Sequence, residues 1–244
     1  MPRKRIDLLV MERGLYDSRA KARAAIEAGQ VSADGVVLTK PSDTANAQAH
    51  IVAGAAFPWV GRGALKLAHA LEQWPILPEG KVVVDVGAST GGFTEVCLNA
   101  GARRVFAVDV GRAQLHARLV GDPRVVNLEG RDARALTTEL IDELPELIVC
   151  DASFIGLEKV LPAVLALAAP GADLVALVKP QFQLGPGRVG KGGLVKDEAS
   201  RLEALAFVEA FLEAAGWPVQ ASRPSPVAGG DGNLEYLVWA QKPA

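Results

Sequence analysis

The chain reads as an α/β protein, a mostly parallel sheet with helices between its strands, preceded by a small α+β module. Three observations predict this. From residue 63 onward, short apolar runs alternate with helical stretches. Those runs are continuous rather than alternating, as in strands covered on both faces. The first 52 residues differ, holding two short helical patterns and then a turn between two brief apolar runs.

In the first module, residues 5–13 (RIDLLVMER) place apolar side chains at helical spacing, and Gly14 stops the helix. Asp17 or Ser18 caps a second helix, SRAKARAAIEAG, which ends at Gly29. Asp34-Gly35 in QVSADGVVLTK then predicts a hairpin turn. Residues 53–62, AGAAFPWVGR, read as a linker, giving units of 1–56 and 63–244 joined by 57–62. The strands expected beyond it are 81–86, 104–110, 124–128, 146–151, 173–179 and 234–240. Helices are expected in LEKVLPAVLALAA and in the long EASRLEALAFVEAFLEAAG.

A hydrophobic content of 50% over 244 residues supplies a core and excludes wholesale disorder. Two cysteines, Cys97 and Cys150, make neither a disulfide scaffold nor a four-cysteine metal site, and fit a reduced, cytoplasmic protein. The start MPRKRIDLLV lacks the apolar core of a signal peptide. Residues 160–178 carry one charge, but Pro162, Pro170 and Gly171 break the run well short of the ~20 apolar residues that span a bilayer. A helix, a turn at Pro170-Gly171 and a buried strand are expected there instead, and no membrane partner.

The formal charge of −2 hides an asymmetry. Residues 1–66 hold 10 basic and 6 acidic side chains, while residues 67–244 hold 16 and 22. A basic module on an acidic body suits a polyanion partner. The candidate contacts are Arg3, Lys4, Arg5, Arg19, Lys21 and Arg23, since phosphates need cations without base specificity. In LLVMERGL, SRAKARAAIEAGQV and DGVVLTKPS, two basic helices followed by a hairpin resemble the S4 RNA-binding domain.

Directly after the first strand of the larger unit comes Asp85-Val86-Gly87-Ala88-Ser89-Thr90-Gly91-Gly92-Phe93, opening a helix. Glycines allow close backbone approach, and a helix N-terminus offers free N–H groups. Asp109, with Val110, ends the second strand, where a carboxylate can accept both ribose hydroxyls of an adenosine. Asp132, with Ala133, follows the third, where it can meet the adenine amino group. A second glycine-rich segment, 185–192, approaches a P-loop, but Gly192 follows Lys191 where a hydroxyl would be needed. Nucleotide hydrolysis is therefore excluded. Arg188 and Lys191 remain either RNA contacts or part of a solvated loop. Three charges, Asp151, Lys179 and Glu235, sit at the ends of apolar strands, and Lys66 lies on the helix before the first. Charges so placed need partners, which suggests one cleft.

DVGASTGGF, the Lys66/Asp151/Lys179/Glu235 set, the CDASF and VKPQF segments and the S4-like start together resemble TlyA-type ribosomal RNA 2′-O-methyltransferases, sometimes labelled hemolysin A. The resemblance covers nearly the whole chain. It implies a Rossmann-like, S-adenosylmethionine-dependent, FtsJ-like methyltransferase sheet behind an S4 domain, with ribosomal RNA or subunits as partner. It implies a catalytic tetrad of Lys66, Asp151, Lys179 and Glu235. Lys179 is then the expected base, with Lys66 as the neighbouring cation that tunes it, and Asp151 and Glu235 orienting the ammonium groups. Asp85 and Asp151 would favour the sulfonium cation. No metal is expected. The family's linker often begins with a basic residue, where this chain has Phe57. The competing readings are a non-catalytic S4-type RNA-binding or assembly factor and a membrane-lysing protein.

Overall fold

The computed structural model describes residues 3–54, 58–185, 187–229 and 231–244, and only the backbone of Lys191. The chain divides into two compact units, Met1–Arg62 and Gly63–Ala244. The expected boundary after residue 56, and Phe57 with it, lie outside the described residues.

In the first unit, β1 (Arg3–Arg5) pairs antiparallel with β4 (Thr44–Asn46). The basic start is thus a short strand, and α1 begins only at Ile6 (Ile6–Glu12). Ser18, not Asp17, caps α2 (Arg19–Glu27), its hydroxyl accepting from Lys21 N at 3.3 Å. Ile6, Leu9 and Val10 of α1 pack with Ala22, Ala25 and Ile26 of α2. The hairpin joins β2 (Val31–Ala33) to β3 (Val36–Leu38) through Asp34 and Gly35 at φ 49° and 80°. Both turn residues are left-handed, as a type I′ turn requires. β2 also pairs with β5 (Ile51–Ala53), a strand the linker reading missed.

The second unit opens with α3 (Ala64–Gln73) and is built on seven strands: β6 (Val82–Val86), β7 (Arg104–Asp109), β8 (Val125–Glu129), β9 (Leu147–Cys150), β10 (Asp173–Val178), β11 (Val219–Pro224) and β12 (Tyr236–Gln241). Their order is β11-β12-β10-β9-β6-β7-β8. The first five in sequence are parallel, and β12 runs antiparallel between β10 and β11. All residues of β6, β9 and β10 are buried, which explains their unbroken apolar runs. β11 alternates half-buried and exposed residues, so it carries no such run and escaped the sequence reading.

The segment 157–169 is two short helices, α6 (Leu157–Val160) and α7 (Pro162–Leu167), because a proline inside a helix removes a hydrogen bond and clashes with the preceding turn. A turn with Gly171 at φ 73° then leads into buried β10. Among the described residues no helix is long and apolar enough to cross a membrane. The remaining helices are α4 (Gly92–Asn99), α5 (Ala117–Val120), α8 (Pro180–Gln183) and α9 (Glu198–Ala214).

The chain runs from β6 outward to β8, then returns to β9 on the other side of β6. The order therefore reverses at β6, and ligands of open α/β sheets bind at the strand carboxyl ends beside such a switch point.

Candidate active site

A cleft of about 540 Å³ opens at that position, lined by Gly87, Ser89, Asp109, Asp132, Asp151 and Phe154 among others. Gly87 sits at φ 83°, and a Cβ there would lie 2.9 Å from the backbone of Ala152. The loops after β6 and β9 approach so closely that only glycine fits. Asp109 is shared between two loops: one oxygen accepts from Ser89 N at 2.8 Å, the other from Gly111 N at 2.7 Å. A carboxylate offers about four lone-pair sites, so it can still accept a diol. Val110 and Ala133 line the cleft as expected.

Asp85 does not line it. Its carboxylate is fully buried, and one oxygen accepts from Thr94 N at 2.8 Å and Thr94 Oγ1 at 2.7 Å, holding the first turn of α4 from beneath. Its other oxygen has no hydrogen-bond partner. Burial above all pushes this carboxyl up to about 7. Ala88, Thr90, Gly91, Gly92 and Phe93 likewise shape the loop without lining the cleft. Gly91 caps α4 in a left-handed conformation, against Leu115 and Leu119, and Phe93 is buried. The cofactor contacts expected at these six positions fall outside the residues that line the cleft. Asp132 lines the cleft, but Arg134 engages both its oxygens at 3.0 Å.

The three strand-end charges and Lys66 form two ion pairs. Val178 of β10 lies opposite Tyr236 of β12, and Ala176 beside Cys150 of β9. This register sets Lys179, Glu235 and Asp151 side by side at one sheet edge. Lys66, on α3, is 2.5 Å from Glu235, both almost fully buried. Lys179 is 2.6 Å from Asp151 Oδ1, a contact of charge rather than an aligned hydrogen bond, and donates to Ser153 Oγ at 2.8 Å and Asp151 O at 3.0 Å. Lys66 therefore gives its charge to Glu235, and the surroundings of Lys179 are oxygen acceptors rather than a second cation.

Several basic side chains are already engaged. Asp7, buried, holds Arg5 at 2.9 Å and Arg19 at 3.4 Å; Lys4 pairs with Glu12 and Lys21 with Asp17. Arg3 donates to Thr44, and Arg23 is exposed on α2. Arg188 is tied to Glu203 at 2.6 Å and to Ser200, so its loop is anchored on α9. The side chain of Lys191 lies outside the described residues. Exposed ion pairs are worth only about 0–1 kcal/mol. Among the described residues no cluster of three or more His, Cys, Asp or Glu is arranged to hold a metal.

Sequence reasoning missed Phe154. It lines the cleft at φ 66°, 89% exposed, its ring 5.0 Å from that of Phe182. An exposed aromatic held in a left-handed conformation leaves no periodic signal.

A reversing parallel sheet, a glycine cradle, a carboxylate at the second strand end and lysine–carboxylate pairs beside the cleft define an α/β domain of the methyltransferase class. Residues 59–242 match the FtsJ-like methyltransferase family, and residues 4–51 match the S4 domain. The chain belongs to the FtsJ-like methyltransferase family, with an S4 domain ahead of it. It is 45% identical over 241 residues to a Mycobacterium tuberculosis protein named 16S/23S rRNA (cytidine-2'-O)-methyltransferase TlyA, covering 97% of this chain and 89% of that one. A solved structure from Streptococcus thermophilus that carries a hemolysin name is 36% identical, with a TM-score of 0.78 over 100% of this chain and 90% of the other. An S-adenosylmethionine dependent methyltransferase from Mesorhizobium loti shares the fold at 17% identity, TM-score 0.52, over 74% of this chain and 99% of that one.

Proposed function

We propose that the protein methylates a ribose 2′-hydroxyl of ribosomal RNA, a cytidine by analogy with its relatives, using S-adenosylmethionine. The observation that carries this is the Lys179–Asp151 pair beside the cleft that Gly87, Asp109 and Asp132 line. Asp109 would hold the ribose diol, the Gly87 cradle would admit the ligand against the backbone, and Asp132 would meet the base if Arg134 releases it. When bound, S-adenosylmethionine supplies an electrophilic methyl group on a sulfonium.

A ribose hydroxyl is a poor nucleophile, so the chain must position it and take its proton. In this reading Lys179 is the acceptor once its ammonium has given up a proton, and Asp151, Ser153 and the Asp151 carbonyl aim it. Lys66 and Glu235 brace the adjoining strand end. The S4 unit supplies RNA affinity through Arg5, Arg19, Lys21 and Arg23, and Arg188 adds a contact once freed from Glu203.

The test is methyl incorporation from labelled S-adenosylmethionine into unmodified ribosomal RNA. Lys179→Ala is expected to lower the single-turnover rate by about 10²–10⁴-fold with cofactor and RNA binding nearly intact. Lys179→Arg should be nearly as slow, because a guanidinium keeps its proton. A wild-type rate in Lys179→Arg would leave positioning, not proton transfer, as the role of this side chain.

A further inference from the structure

Four carboxylates surround the cofactor cleft: Asp109, Asp151 and the Arg134-bound Asp132 in its wall, and Asp85 beneath, one residue before the wall residue Val86. Of these, Asp151 is neutralised by Lys179 and Asp109 is bonded to two backbone N–H groups. Asp85 differs from all three. Among the described residues it has no cationic partner; one oxygen spans the start of α4, and the other is buried without a donor.

We infer that Asp85 is the residue by which the enzyme distinguishes its cationic cofactor from the uncharged thioether product, through charge rather than contact. The inference rests on the proposed use of S-adenosylmethionine. A sulfonium in the cleft favours the ionised carboxylate beneath it. S-adenosylhomocysteine carries one positive charge fewer and gives Asp85 no such support. The cofactor is then held in the ionised state, and loss of the methyl group removes the attraction and promotes product release.

The groups packed around Asp85 make it the one that responds. Thr94, on α4, donates to the carboxylate and stabilises its charged form. Asp109, at the end of β7, and Asp151, after β9, both oppose its ionisation. The two buried thiols nearby, Cys97 on α4 and Cys150 on β9, are pushed up by burial, Cys150 to about 12, and stay neutral. Lys179 is committed to Asp151. With Asp85 titrating at about 7, a cation entering the cleft expels a proton near neutrality.

The experiment is calorimetric titration of the full chain with S-adenosylmethionine and, separately, S-adenosylhomocysteine, at several pH values and in two buffers of different ionisation enthalpy. The cofactor should tighten by up to about tenfold from about pH 6 to about pH 8, with a proton released near pH 7. The product's affinity should stay flat. Asp85→Asn keeps an acceptor for Thr94 and should abolish the difference, and comparison with wild type cancels the ligands' own titrations. Thr94→Val removes a donor from the ionised form and should move the cofactor's inflection to higher pH. The inference is overturned if both ligands follow one pH profile in the wild-type protein, or if Asp85→Asn keeps the wild-type difference. Binding of neither ligand would instead remove the methyltransferase reading itself.

Discussion

Asp109 and the two lysine–carboxylate pairs concentrate the residue-scale chemistry. Asp109 holds the Gly87–Ser89 loop to the β7 end by accepting from Ser89 N, accepts from Gly111 N in its own loop, and faces the cleft. Asp109→Ala is expected to weaken S-adenosylmethionine binding by about 10- to 150-fold, the worth of hydrogen bonds to a charged acceptor, while RNA affinity stays near wild type. Isothermal titration with each ligand checks this, and unchanged cofactor affinity would contradict the adenosine reading of the cleft. The Lys66–Glu235 pair is more deeply buried than Lys179–Asp151. Removing one partner strands a buried charge, so Lys66→Ala or Glu235→Ala should each cost about 3–5 kcal/mol in urea unfolding, whereas Lys66→Met with Glu235→Leu should cost far less. Additive losses in the double variant would show that the pair is not coupled.

Elements place these residues where side chains alone could not. β6 and β9 end level, Val86 beside Cys150, and β10 runs two residues further past Ala176, so Asp151 and Lys179 both emerge at the same end of the sheet. In the smaller unit, the turn from β1 into α1 depends on Asp7, whose carboxylate is buried between Arg5 and Arg19. The hydrogen bond from Arg5 holds Asp7 below the usual carboxylate range, against the opposing effect of burial. A carboxyl lowered in the folded state stabilises fully above its unfolded value of about 4, and that contribution fades as pH falls through the lower folded value. The S4 unit should therefore loosen in acid in a way that Asp7→Asn does not. Asp7→Ala should cost about 1–3 kcal/mol at neutral pH, read by thermal unfolding followed at Tyr16, the tyrosine of this unit. An acid profile shared by the wild type and Asp7→Asn would remove Asp7 as the cause.

At the scale of the whole molecule, charge divides the labour: the first 66 residues are net basic and the remainder net acidic. A chain beginning at Trp59 should still bind S-adenosylmethionine but hold ribosomal RNA weakly. Reversing Arg19, Lys21 and Arg23 in the full chain should flatten the dependence of RNA affinity on salt, since fewer counterions are released. Filter binding across a salt series measures both, and full RNA affinity in the shortened chain would move the RNA site into the larger unit.

The sequence by itself determined the two-unit plan, the strands buried on both faces, the Asp34-Gly35 hairpin, the glycine loop after β6 and the three strand-end charges. Each is a local signal, an apolar run, a turn dipeptide or a charge against an apolar background. Strands without such a signal were illegible: β11 alternates at the sheet edge, and β1, β4 and β5 are three residues each. Only the tertiary structure decided which lysine meets which carboxylate, because Lys66 on α3 and Glu235 before β12 lie 169 residues apart and meet only in the packed fold. It also decided that Asp85 lies under the cleft rather than in its wall, and that Phe154 stands exposed at its rim. Spacing along a chain fixes the end of a strand. The side to which a side chain turns, and the charge it finds there, depend on packing between elements distant in sequence.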